Sequence, residues 1–194
     1  MDFTHYLAKY KEILSQTNPE KPYDDEHFME YVKLNQSRMN RWLKTGVLNP
    51  DLVSQVKNMQ EKQNWVLITE PWCGDAAHLV PFIAKLSELN PLINLTIQLR
   101  DEDSEIDNYL TNGGKSIPIL IIRDEAGKDL AIWGPRPKTA QNYFTELKSQ
   151  NKSFEEQKEA LQFWYNQDKG ASLQAELLEI LSVNLLDKNY STVI

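Results

Sequence analysis

The run Trp65-Val66-Leu67-Ile68-Thr69 constrains this chain more than any other segment. It is apolar almost without interruption, so as a strand it has no face to offer to water. Such a strand needs cover on both sides, the arrangement of an α/β sheet flanked by helices. The residues that follow supply the parts. Ala77, Leu79, Val80, Phe82, Ile83, Leu86 and Leu89 predict a helix over residues 76–89, kinked at Pro81. Leu95, Ile97 and Leu99 alternate in a second strand over 92–99. A short helix is expected over 104–110, closed by Asn112-Gly113-Gly114. A third strand over 117–122 is entered through Pro118, and the turn Asp124-Glu125-Ala126-Gly127 folds 129–133 back against it as a hairpin. Gly134-Pro135-Arg136-Pro137 ends the hairpin, and a helix is expected from Thr139 as N-cap.

The flanks change period. Residues 1–62 read as a helical N-terminal extension packed on the core, 63–149 as the core itself, and 150–194 as a C-terminal helical extension. A short helix spans Asp2 to Leu14, and the prolines at 19 and 22 interrupt it. Asp24-Asp25-Glu26 opens the next helix, where the dipole favours acidic groups, and Phe28, Tyr31, Val32, Asn35, Met39, Trp42 and Leu43 form one stripe along it up to a stop at Gly46. Asn49 and Pro50 fit the N-cap and first position of another helix, with Leu52, Val53, Val56 and Met59 on its apolar face. At the C-terminal end, Ser153-Phe154-Glu155-Glu156 is a capping box. Two apolar stripes follow, Phe154, Leu161, Trp164 and Tyr165, then Leu173, Leu177, Ile180, Leu181 and Leu185, separated by Gly170.

Charge and cysteine usage exclude several functions. The net charge is -7, opposite in sign to a surface that neutralises nucleic-acid phosphates or anionic lipid. No run approaches the roughly 18 apolar residues of a membrane span, and the first residues lack the pattern of a signal peptide, so a cytoplasmic location is expected. There is one cysteine, Cys73, which rules out an intrachain disulfide and a two-cysteine redox cycle. His5, His27 and His78 show no metal-ligand spacing, so neither a metal nor a bound cofactor is expected.

The buried strand runs into Trp72-Cys73-Gly74-Asp75-Ala76. Pro81 falls eight residues after Cys73, and Gly113-Gly114-Lys115-Ser116-Ile117-Pro118 precedes the closing hairpin. In this order the segment resembles the thioredoxin-like superfamily, with its W-C-G-P-C turn, its helix-kinking proline and its cis-proline. Glu70-Pro71-Trp72-Cys73-Gly74-Asp75-Ala76 and Trp133-Gly134-Pro135-Arg136-Pro137 look like a bacterial thioredoxin-like family of poorly defined function. The resemblance implies a central mixed sheet flanked by helices over roughly residues 60–149. It implies that Pro118 is cis beside Cys73, that Ile117 offers backbone hydrogen bonds to a bound thiol or peptide, and that Trp72, Gly74 and Asp75 border the substrate. Asp75 stands where the pattern has proline, and Ala76 where it has the second cysteine.

Those departures set the chemistry. A thiolate at Cys73 attacking a disulfide forms a mixed disulfide, and with no second cysteine an external thiol such as glutathione has to resolve it. The expected activity is therefore that of a monothiol thiol-disulfide oxidoreductase acting on a thiol or disulfide substrate, a protein among the candidates. The alternative is a non-catalytic thioredoxin-fold module that binds a protein partner. A dimer sharing a glutathione-ligated iron–sulfur cluster through Cys73, as in monothiol glutaredoxins, is a third reading. The helix N-terminus lowers the thiol's pKa, whereas Asp75 raises it. His78 lies about 140° around an ideal helix from Cys73, so it is expected to pack rather than to form a dyad. Arg100, within Arg100-Asp101-Glu102-Asp103, reads as part of a solvated charge run or as a carboxylate anchor. Arg136 reads as a ligand anchor or a structural ion-pair partner, and Arg38 and Arg41 as solvent-facing.

Overall fold

A computed structural model describes residues 1–191, with side chains through Val183. Strand β1 (Gln63–Thr69) lies inside a four-stranded mixed sheet of order β2-β1-β3-β4. It pairs in parallel with β2 (Ile93–Leu99) and antiparallel with β3 (Ile119–Asp124), which pairs antiparallel with β4 (Asp129–Trp133). Leu67 stands opposite Ile97 on one side and Leu120 on the other. Residues 65–69 are all buried, as an apolar strand covered on both faces must be.

Seven helices flank the sheet among the described residues: α1 (Phe3–Ser15), α2 (Glu26–Thr45), α3 (Pro50–Lys57), α4 (Gly74–Ser87), α5 (Lys138–Ser149), α6 (Phe154–Asp168) and α7 (Ala171–Ser191). Their starts follow local chemistry. Asp2, Asp25 and Asn49 each accept backbone N–H bonds at the head of their helix, and Pro50 occupies the first turn of α3. Ser153 and Glu156 form both bonds of the capping box that opens α6. α2 packs along α4, α1 against α2 and β2, α5 against α6, and α7 against α3 and β4. One apolar cluster joins Tyr6 and Tyr10 of α1, Met39 of α2 and Leu52 of α3 to Phe82 of α4, Tyr165 of α6 and Leu173 of α7.

Three local expectations differ from the structure. Only Ile106–Asn108 forms a helical turn in the segment expected to be helical over 104–110, because Glu105 is drawn away by Gln98 and Arg123. Helix α5 starts after Pro137, and Thr139 sits inside its first turn with its hydroxyl bonded to Ser172. Of the first C-terminal stripe, Leu161 and Tyr165 are buried, but Phe154 is 67% exposed at the head of α6. In the second, Leu173, Leu177 and Leu181 are buried, and Leu185 falls outside the residues whose side chains are described.

Gly134 closes β4 onto the loop before β3. Its φ is +130°, and a Cβ there would stand 2.3 Å from the carbonyl oxygen of Pro118. Gly127 also has a positive φ, +86°, but nothing lies within 4 Å of its added Cβ. Gly134→Ala should therefore cost about 3 kcal/mol in urea denaturation and Gly127→Ala about 1 kcal/mol, because only the first adds a backbone collision to the conformational strain. Equal losses would mean that the approach to Pro118 contributes nothing.

Candidate functional site

Cys73 is the N-cap residue of α4, reached from β1 through Glu70-Pro71-Trp72. Its backbone N–H donates to the Glu70 carbonyl (3.1 Å), which folds the strand end into the helix start. The Ile117–Pro118 peptide is cis. The thiol donates to the Ile117 carbonyl at 3.4 Å, so the backbone oxygen expected to meet a ligand already holds a proton of the protein's own.

Cys73 is only 7% exposed. Burial first, and the Asp75 carboxylate second, push its thiol up to about 12. The amides of Ala76 and Asp75 and the Arg136 guanidinium pull the other way without offsetting them. The helix N-terminus was expected to lower this pKa, but desolvation outweighs it.

Asp75 is held from two sides. Arg136 donates from Nε (2.8 Å) and Nη2 (2.7 Å) to Oδ2, and the Tyr165 hydroxyl donates to Oδ1 at 2.7 Å. The ion pair is largely enclosed, with Asp75 and Arg136 side chains 12% and 19% exposed, and the guanidinium lies over the Phe144 ring. Arg136 is thus an ion-pair partner. It lies between two prolines and lines the cleft.

His78 is buried inside α4. The Trp42 indole N–H donates to Nδ1 (2.9 Å), which leaves the Nε2 proton to reach Gln162 Oε1 (2.9 Å), and the ring stacks on Tyr165 at 4.7 Å. Both nitrogens are occupied away from Cys73. Burial lowers the imidazole's pKa to about 4.

Glu70 was not singled out by sequence, since an acid between a strand and a turn reads as surface. It is 3% exposed and accepts from the Asp101 backbone N–H (2.9 Å) and the Tyr23 hydroxyl (3.5 Å). Burial pushes its carboxyl up to about 7. Arg100 pairs with Asp101 (2.7 Å) and folds back over the Trp72 ring (4.6 Å), so Arg100 alone of the charge run lines the site. Asn35, a polar residue on an apolar stripe, is fully buried. It donates to the Pro71 carbonyl (3.0 Å) and accepts from Arg38 Nη1 (2.9 Å). Arg38 is therefore half-buried at the site, whereas Arg41 is exposed as expected.

These elements enclose a cleft of about 650 Å³ between α2, the head of α4 and α6. Trp72, Cys73, Gly74, Asp75 and Ile117 line it, and Pro118 is buried outside its wall. Phe28, Leu34 and Arg38 come from α2, and Phe154, Lys158, Gln162 and Tyr165 from α6. The contribution of α6 had no signature in the sequence beyond its apolar stripe. Among the described residues no cluster suits a metal ion, and no helix is long and apolar enough to cross a membrane.

Fold and site together define a thioredoxin-fold protein with a single cysteine at the head of its second-layer helix. A family model described as thioredoxin matches residues 22–148, and the chain belongs to that family. One solved structure shares the fold at low identity, and a second is similar to the chain. An HIV epitope-scaffold is 17% identical with a TM-score of 0.55, the match covering 81% of this chain and 96% of the scaffold. A protein of unknown function from Pseudomonas aeruginosa is 19% identical with a TM-score of 0.49, covering 74% of this chain and 92% of that one. No curated protein matches the chain.

Two of the buried titrating groups, His78 and Glu70, act on stability with opposite signs. His78 has a folded pKa below its usual value of 6.5, so its contribution is present above that pH and is lost as pH falls toward 4. Glu70 has a folded pKa above its usual 4.5, so its contribution is present below 4.5 and is lost as pH rises through 7. Glu70→Gln should match the wild type in urea denaturation near pH 4.5 and exceed it by about 3 kcal/mol near pH 8. An unchanged difference between the two pH values would show that Glu70 ionises in the fold as it does in water.

Proposed function

We propose that this chain is a binding module, holding a ligand or partner segment in the cleft beside Cys73 rather than exchanging disulfides. The observation that carries this reading is the state of the thiol. Cys73 is enclosed, donates its proton to Ile117 and has its pKa pushed far above neutrality, while a cleft of about 650 Å³ opens beside it. A nucleophilic thiol needs the opposite, since the thiolate is the attacking species. Trp72, Ile117, Gly74 and Asp75 act here as cleft wall, and Asp75 is spent on Arg136 and Tyr165.

A second reading keeps Cys73 as a monothiol exchange residue. What favours it is that the Asp75 and Ala76 amides face the sulfur and would stabilise a thiolate once it formed. In that cycle Cys73 sulfur attacks one sulfur of a disulfide, the other sulfur leaves as thiolate, and glutathione as external thiol attacks the mixed disulfide to release Cys73.

Mass spectrometry after treatment with oxidised glutathione near pH 7.5 separates the two. With a pKa near 12, Cys73 has a thiolate fraction about a thousand-fold below that of a free cysteine, so no adduct should form while a control peptide thiol is fully modified. An adduct at Cys73 that reduced glutathione removes would overturn the binding reading in favour of exchange.

A further inference from the structure

We propose that the cleft takes a small organic carboxylate, its carboxylate on Arg38 and its apolar body against Phe28, Trp72 and Ile117. This rests on the reading of the cleft as a binding site and adds the ligand's charge and orientation. The chain carries a net charge of -7, yet the cleft gathers five cationic side chains against three carboxylates. Four of the five have a carboxylate partner: Arg136 has Asp75, Arg100 has Asp101, Lys115 has Asp107 and Lys158 has Glu155. Arg38 has none among the described residues. Its one hydrogen bond described there, at 2.9 Å, goes to the neutral amide oxygen of Asn35, which leaves most of its five donors unused.

The position of Arg38 strengthens the argument. A Cβ on Gly74 would lie 3.9 Å from its Nη1, so the guanidinium stands over the first turn of α4. There the leading amides lack intrahelical acceptors and the helix end is positive. Asn35 fixes the guanidinium from behind, being itself fully buried and anchored on Pro71. A half-buried cation beside a positive helix end is a local cost to the fold that a bound anion relieves. The planar fork of arginine matches the two oxygens of a carboxylate. The remaining walls suit an apolar body. Phe28 meets Trp72 edge-on at 5.7 Å, Ile117 is buried beside them, and Leu34, 51% exposed, extends the apolar surface to the rim. The indole N–H of Trp72 is also buried without a partner among the described residues. The volume is that of a site for a small molecule.

The test is isothermal titration calorimetry of the full chain with 2-naphthoate and with 2-naphthamide, which share shape and differ in charge. The wild type should bind the acid at least ten-fold more tightly than the amide. Arg38→Gln should abolish that preference, and Arg38→Lys, which keeps the charge without the fork, should retain part of it. Thermal melts of both variants within a few degrees of the wild type would show that they are folded. Equal binding of acid and amide by the wild type, or a preference that survives Arg38→Gln, overturns the carboxylate assignment and leaves the binding cleft standing. Failure of both probes to bind at millimolar concentration overturns the small-molecule assignment of the cleft, while the glutathione experiment above decides the binding reading.

Discussion

The carboxylate of Asp75 organises everything around it. It is a nearly enclosed anion in the first turn of α4, and two segments distant in sequence reach it, the loop after β4 through Arg136 and helix α6 through Tyr165. Breaking one side of such an enclosed pair typically costs about 3–5 kcal/mol, since the remaining charge stays buried. With Tyr165 fixed there, its ring stacks on His78, and Gln162, nearly one turn earlier in α6, comes within reach of the same imidazole. A C-terminal helix outside the four-stranded sheet thereby becomes a wall of the cleft, held by polar contacts at one end and by its apolar stripe in the core.

The same carboxylate bears on Cys73. Being anionic and close to the sulfur, it opposes a second negative charge, and its own counter-ion Arg136 is largely committed to it. Enclosure by the surrounding elements adds the larger effect. The turn thus keeps the backbone features of a thiolate site, two amides aimed at sulfur, inside an environment that favours the neutral thiol. Among the described residues, the cation without a carboxylate partner at the cleft is Arg38, which stands on Asn35 over the first turn of α4.

Much of this was legible in the sequence wherever the governing interactions are local. The apolar run at 65–69 gave away a doubly covered strand, and the caps at Asn49 and Ser153 marked helix starts because a cap is decided within three residues. The site residues Trp72, Gly74, Asp75 and Ile117 come together at the cleft with Cys73. What sequence could not convey are pairings across long separations. Tyr165 and Asp75 are 90 residues apart, Asn35 and Pro71 are 36 apart, and neither partner carries a local signature of the other. Thr139 was misplaced for the same reason, since a hydroxyl suited to capping found Ser172 instead. The Cys73 pKa is a matter of balance. Helix-end stabilisation can be read from position, but desolvation depends on how many elements, distant in sequence, close over the sulfur.

The hydrogen bond from Cys73 to Ile117 has a consequence for the chain's durability. Sulfur climbs the oxidation ladder to sulfenic acid and beyond as thiolate and where oxidant can reach it. A protonated sulfur turned toward a carbonyl and 7% exposed meets neither condition. With one such residue and no other cysteine, two copies have no ready sulfur with which to crosslink, and Met1, 40% exposed, is the more accessible sulfur. While it stays so enclosed, the residue that looks most like a redox centre is held in its less nucleophilic, protonated form.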